Sequence, residues 1–337
     1  MAEAPAPTIR AALDELVHQF ADPYAFVREL VQNSIDAGSS EIEIDVTHDA
    51  ARGLATVHVD DWGEGMTRQI IEKQLTRLFS SSKDGDHTKI GKFGIGFVSV
   101  FALDPELVCI DTARDGECWR VLFHRDRSYE LIALDTAVEG TRIDVIKRAS
   151  VDEFAEIAAR CEQSLQFWCR HVAVEVRFRG QPIREAFELA RAPCQVAERS
   201  ELGEIVVGHP SDGAPFCGFY NNGLTLFEAG RHLEDAADLG PVAFKVASPQ
   251  LEHTLTRDAV IEDAGFHRAI DRVRAMIDGP LVARVFERLD EEHARSDGEL
   301  GYLLRIAGWH AGRTLPAEVL TRRIALAPSG RSWTIAA

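Results

Sequence analysis

The chain has 337 residues, 45% hydrophobic and 27% charged, with 25 Gly and 13 Pro, a globular composition with room for two domains and not that of a disordered or fibrous chain. Lys plus Arg number 37 against 54 for Asp plus Glu, a formal net charge of −17. That charge disfavours a general nucleic-acid surface, while a local basic patch stays compatible with it. The six cysteines show no C-x-x-C pair and no metal-type spacing to the twelve histidines, so they read as reduced thiols. The N-terminus, MAEAPAPTIR, lacks a basic segment leading into an apolar one, and no run approaches the roughly 18 apolar residues of a membrane span. The expectation is a soluble cytoplasmic protein.

Residues 8–37 look helical in two pieces, broken near Ala21-Asp22-Pro23, where Asp22 can cap a helix with Pro23 in its first turn. Glu41–Val46 and Ala55–Val59 then alternate strictly and pair as antiparallel strands, with Ile42, Ile44, Val46, Val57 and Val59 facing inward. An irregular stretch from Asp60 to Gly96, with a short helical piece near 67–78, is too long for a plain connector. Strands are expected near 106–112, 117–123, 128–134 and 141–146, and a helix from Ser150, where Glu153 completes a capping box. This order predicts an α+β fold, a two-layer sandwich of mainly antiparallel sheet and helices. From about 172 the pattern restarts, with strands near 172–178, 204–208, 216–228 and 242–247 and a helix near 258–278. Asn221-Asn222-Gly223 marks a hairpin. The expected domains are 1–150, a second α/β domain over 151–280, and a helical segment over 281–337.

On a helix running from Phe26 to Ala37, setting Glu29 at 0° puts Asn33 at about 40° and Asp36 at about −20°, opposite the stripe of Val27, Leu30, Val31 and Ile35. A solvated helix face is the plain alternative. In Val59-Asp-Asp-Trp-Gly-Glu-Gly-Met66 a strand of buried type ends in an acidic residue. Gly63 and Gly65 then let the backbone approach a flat ligand, with Asp61 as hydrogen-bond acceptor; an ordinary Asp-Gly turn is the alternative. Ile90-Gly-Lys-Phe-Gly-Ile-Gly-Phe97 runs into a helix start, where exposed amides and the helix dipole suit a phosphate. It is not a Walker P-loop, because Phe93 stands where Ser or Thr would bind magnesium.

In this order the three segments resemble the boxes of the GHKL ATPase superfamily (the Bergerat ATP-binding fold), which includes the ninety-kilodalton heat-shock chaperones, MutL-type mismatch-repair proteins, type II topoisomerases and sensor histidine kinases. Arg28–Gly38 is closest to the MutL form, and Asp61–Thr67 and Ile90–Phe97 to the chaperone forms. Glu139-Gly-Thr-Arg-Ile143 resembles the strand start that closes the adenine pocket. Leu255-Thr-Arg-Asp-Ala-Val260 is similar to the chaperone middle-domain segment whose arginine reaches the γ-phosphate, which assigns that role to Arg257. The lid lysine expected near Ser80 is absent, and Lys83 stands in a shifted, MutL-like position.

The resemblance implies ATP and magnesium as ligands and slow ATP hydrolysis. It places adenine on Asp61 with Thr141 ordering nearby water, magnesium on Asn33, and Glu29 as the base that activates water, with Asp36 beside them. Gly65 and Met66 belong to the base pocket. Gly91, Gly94 and Gly96 cradle the phosphates together with Lys83 and Ile95, while Phe93 and Phe97 anchor their loop. A lid over about 66–96 would switch with nucleotide. The leading expectation is a chaperone-type conformational switch acting on protein partners, with an ATP-dependent homodimer. The alternatives are an ATP-gated DNA clamp of MutL or topoisomerase type and a nucleotide-gated module in a multi-protein defence or stress system. A chaperone of this class also carries a longer middle domain and a C-terminal dimerisation domain, for which this length leaves no room.

Overall fold

The computed structural model describes residues 22–76, 95–136, 138–230, 239–252, 259–295, 299–312, 323–325 and 332–334. The chain divides into two compact units, residues 1–185 and 186–337.

Unit 1 begins its described part at Asp22, whose carboxylate accepts from Tyr24 N at 3.1 Å. Helix α1, Ala25–Asp36, therefore starts two residues after Pro23, with Tyr24 rather than Asp22 at its N-cap. Strands β1 (Glu41–Asp49) and β2 (Leu54–Asp61) pair antiparallel in the register Ile42↔Asp61, Ile44↔Val59, Val46↔Val57. The five residues expected to face inward are all buried, as period-two alternation on a half-covered sheet demands. A helical turn, Arg68–Ile70, runs on as π-helix through Ile71–Leu75, and a second turn, Ile95–Val98, continues as 3-10 helix over Ser99–Leu103.

Strands β3 (Leu107–Arg114), β4 (Glu117–His124), β5 (Tyr129–Ala133) and β6 (Thr141–Arg148) follow, each within a few residues of its expected place. Helix α2, Val151–Trp168, opens with the capping box, Ser150 and Glu153 bonding each other's backbone. Strands β7 (Glu175–Phe178) and β8 (Gln181–Pro182) complete an eight-stranded sheet in the order β5-β4-β3-β6-β2-β1-β7-β8. All its pairings are antiparallel except β1 with β7. The mainly antiparallel α+β architecture is the one the sequence predicts.

The expected boundary at 150 is corrected. Helix α2 packs on α1 and β1, and β7 adds to β1, so both belong to the first unit. Unit 2 holds β9 (Cys194–Ser200), β10 (Gly203–His209), β11 (Phe216–Asn221), β12 (Leu224–Ala229) and β13 (Ala243–Ala247), in the order β12-β11-β13-β10-β9. The β11–β12 turn carries Asn222 and Gly223 at φ of 49° and 84°, the left-handed pair of a tight hairpin. Helix α3, Ala264–Met276, passes through a π turn at Ile277–Leu281 containing Pro280 into α4, Val282–Arg295, and α5 spans Leu300–Ala311. Val285, Phe286, Leu303 and Ile306 share one core with Ile205, Phe219, Phe244 and Phe266, so residues beyond 280 build unit 2 and do not form a separate segment. A short hairpin pairs β14 (Arg323–Ala325) with β15 (Ser332–Thr334).

Candidate functional site

In unit 1 a cavity of about 280 Å³ opens between α1 and the sheet. Its lining includes Asn33, Ser34, Asp36, Asp61, Gly65, Met66, Phe97 and Thr141, with Leu30, Ile110 and Ile143 as apolar wall. Six of those eight polar or loop positions are ones the sequence singled out as lining a pocket, together with the anchoring Phe97. Asp61 lies at the end of β2 and is 7% exposed. Its Oδ1 accepts from Gly63 N at 2.9 Å and its Oδ2 from Ser34 Oγ at 2.9 Å. Burial pushes the Asp61 carboxyl up, opposed by the donors on Gly63, Ser34 and the Thr141 backbone. The result is an acceptor fixed in direction yet withdrawn from water, suited to a neutral N–H group of a flat ligand.

The wall beside it is equally ordered. Met66 N donates to Thr112 Oγ1 at 2.9 Å, and Thr112 Oγ1 lies 3.0 Å from Thr141 Oγ1. Gly65 is required here: its φ is +65°, and a Cβ would stand 2.0 Å from Ala113 O, so no other residue fits without moving β3. Thr112 and Ser34 were missed by sequence reasoning.

Glu29 and Arg28 are 4% and 2% exposed, which removes the solvated-face alternative for the first turn of this helix, since charges are buried only when paired; Asn33 is half-buried and Asp36 exposed. Arg28 Nε and Nη2 donate to Glu29 Oε1 at 3.1 and 2.9 Å, and the guanidinium lies 4.4 Å from the centre of the Trp168 ring. The other oxygen, Oε2, would be 2.6 Å from a Cβ on Gly96. Glycine at 96 therefore lets the loop backbone close directly on the carboxylate. Asp36 faces the cavity and accepts from Gln32 Nε2 at 2.7 Å. Asn33 also faces it, and its side-chain amide has no hydrogen-bond partner among the described residues. An amide oxygen next to carboxylates is a hard donor set of the kind that suits magnesium. Phe97 packs at 5.2 Å on Phe123 and 6.3 Å on Phe101, anchoring the turn. Ile95 opens that turn; Lys83, Gly91, Phe93, Gly94 and Arg257 lie outside the described residues.

An acceptor at a strand end and a polar helix face over a cavity of this size make a site for a flat ligand bearing an N–H donor, on an α+β sandwich. Residues 23–149 match the family described as histidine kinase-, DNA gyrase B- and HSP90-like ATPase, and this part of the chain is a GHKL-type ATPase domain. Over a longer stretch the chain is similar to chaperone protein HtpG of Chlorobaculum tepidum, 25% identical over 233 residues, 58% of this chain and 36% of that protein. It is also similar to chaperone protein HtpG of Methylococcus capsulatus, 26% identical over 224 residues, 56% of this chain and 34% of that protein, and to that of Idiomarina loihiensis, 26% over 211 residues, 53% and 32%. The chain spans about a third of the length of these curated relatives.

Proposed function

We propose that unit 1 binds and slowly hydrolyses ATP with magnesium, and that the chain works as a chaperone-type conformational switch on protein partners in the cytoplasm. The observation that carries this is the buried, doubly anchored Asp61 at the end of a cavity that Asn33, Asp36 and Thr141 also line. Adenine offers Asp61 an exocyclic N–H, whereas guanine offers a carbonyl oxygen there and leaves a buried carboxylate unpaired, at a cost of about 1–3 kcal/mol. Asn33 would hold the magnesium ion, which when bound neutralises phosphate charge. Glu29, buried on α1 against Gly96, would take the proton of the attacking water. The Gly91–Phe97 turn would cradle the phosphates with Lys83, the lid over about 66–96 would order around them, and Arg257 would reach the γ-phosphate.

Chaperone relatives support a protein client, and an ATP-dependent homodimer follows from the same reading; the net charge of −17 weighs against a DNA clamp. Glu29→Ala should keep ATP affinity within about threefold while turnover drops by about two orders of magnitude, and Asp61→Asn should abolish binding. Arg257→Ala should slow turnover more than it weakens binding. Calorimetric titration and phosphate release measure both quantities. Undiminished hydrolysis in Glu29→Ala removes the base, and GTP competing equally with ATP removes the Asp61 assignment. Stimulation by an unfolded protein supports the client reading; salt-sensitive stimulation by DNA supports the clamp.

A further inference from the structure

One guanidinium remains at the cavity that the scheme above does not use. Among the described residues lining it, Arg114 is the one cation, against the carboxylates of Asp36, Asp61 and Glu64. Arg114 Nη2 is 2.7 Å from Glu64 Oε2, with its side chain about one-third exposed. The pair bridges the last residue of β3 and the turn that follows Asp61. Ile110, Thr112 and Arg114 project from the same face of β3, since side chains alternate along a strand. Arg114 thus stands four residues, about 13 Å, beyond Ile110 toward the rim.

Which end of a nucleotide this faces follows from α1. Glu64 N donates to Ala37 O at 2.8 Å, so the Glu64 turn sits at the C-terminal end of that helix. Glu29, against Gly96, lies eight residues back, about 12 Å along the axis. The Asp61 anchor and Arg114 share one end of the site, and Glu29, against Gly96, takes the other. Resting on the nucleotide reading above, we propose that Arg114, held by Glu64, is a base-contacting, affinity-determining residue. Its planar guanidinium covers the purine at the mouth of the pocket, and it does not serve the phosphates. A planar cation on a flat ring gains from stacking as well as charge, which an ammonium does not reproduce. Glu64 presets the plane and cancels the net charge, so the contact adds little dependence on phosphate number.

The test compares adenosine, ADP and ATP by calorimetric titration on the whole chain. Arg114→Ala should weaken all three by a similar factor, about five- to tenfold. Arg114→Lys should recover less than half of that loss on a logarithmic scale, and Glu64→Gln should weaken all three by about two- to threefold. Thermal melting without ligand, unchanged in each variant, separates a contact from a structural role. A loss that grows from adenosine to ATP would assign Arg114 to the phosphates and overturn the proposal. Unchanged affinities would overturn it too. Wild-type protein that bound none of the three would overturn the nucleotide reading itself, an outcome distinct from either.

Discussion

Ser34 stands at about 140° on the α1 wheel when Glu29 is set at 0°, inside the apolar stripe, and its hydroxyl reaches Leu30 O at 3.1 Å and Asp61 Oδ2 at 2.9 Å. A lone hydroxyl in an apolar stripe must find a partner when buried, and that is the signal the sequence holds for Ser34. Removing it leaves Asp61 with one donor fewer on a carboxyl that burial already pushes up. Ser34→Ala should therefore cost about 1–2 kcal/mol of stability and weaken ATP binding more in acid than at neutral pH, because the proton then competes better for the carboxylate. Thermal melting and titrations at two pH values check this; affinity that is equally reduced at both would show that Ser34 acts only by packing. Asn33, Asp36 and Asp61 were legible because helix period and strand end alone set their direction. The Arg114–Glu64 pair was not, because it joins two segments whose approach depends on the turn through Gly65.

Elements whose signal is local were the readable ones. Strict alternation marked β1 and β2, and the Ser150–Glu153 box marked the start of α2. That box supplies a further test: Ser150→Ala removes one half of a reciprocal cap and should lower unit 1 stability by about 1 kcal/mol, seen as a lower midpoint in urea with an unchanged slope. An unchanged midpoint would mean that tertiary packing against α1 fixes the helix end alone. Strand β9 escaped notice because CQVAERS is an edge strand with only Cys194 fully buried, so hardly any alternation is imposed on it. Strand β7 was placed in the wrong domain for a different reason. Its parallel pairing with β1 is made across more than a hundred residues, and no periodicity within Glu175–Phe178 reports which sheet it joins.

The two units carry histidines that titrate with opposite sign. In unit 1, His58 bridges Asp144 Oδ1 at 2.7 Å and Thr47 Oγ1 at 2.8 Å, and the Asp144 hydrogen bond raises it above its ordinary 6.5. That contribution is fully present below pH 6.5 and is lost as pH rises through the folded value. In unit 2, His209 is fully buried. Its Nδ1 faces Pro241 O at 3.2 Å, so Nδ1 carries the proton and Nε2 accepts from His310 Nε2 at 2.9 Å, tying β10 to α5. Burial lowers His209 to about 4, with Arg305 adding to the effect and the Pro241 carbonyl opposing it. A depressed histidine contributes in full above pH 6.5, and its contribution falls away as pH drops toward 4. Between about pH 7.5 and 5.5 unit 2 should lose about 1 kcal/mol while unit 1 gains. Calorimetric melts at the two values should show one transition moving down and the other up, and only the rising one should shift further with ATP. Asp144→Asn should flatten the unit 1 response and leave unit 2 untouched. Two transitions that move together would show that the histidines do not govern the units separately.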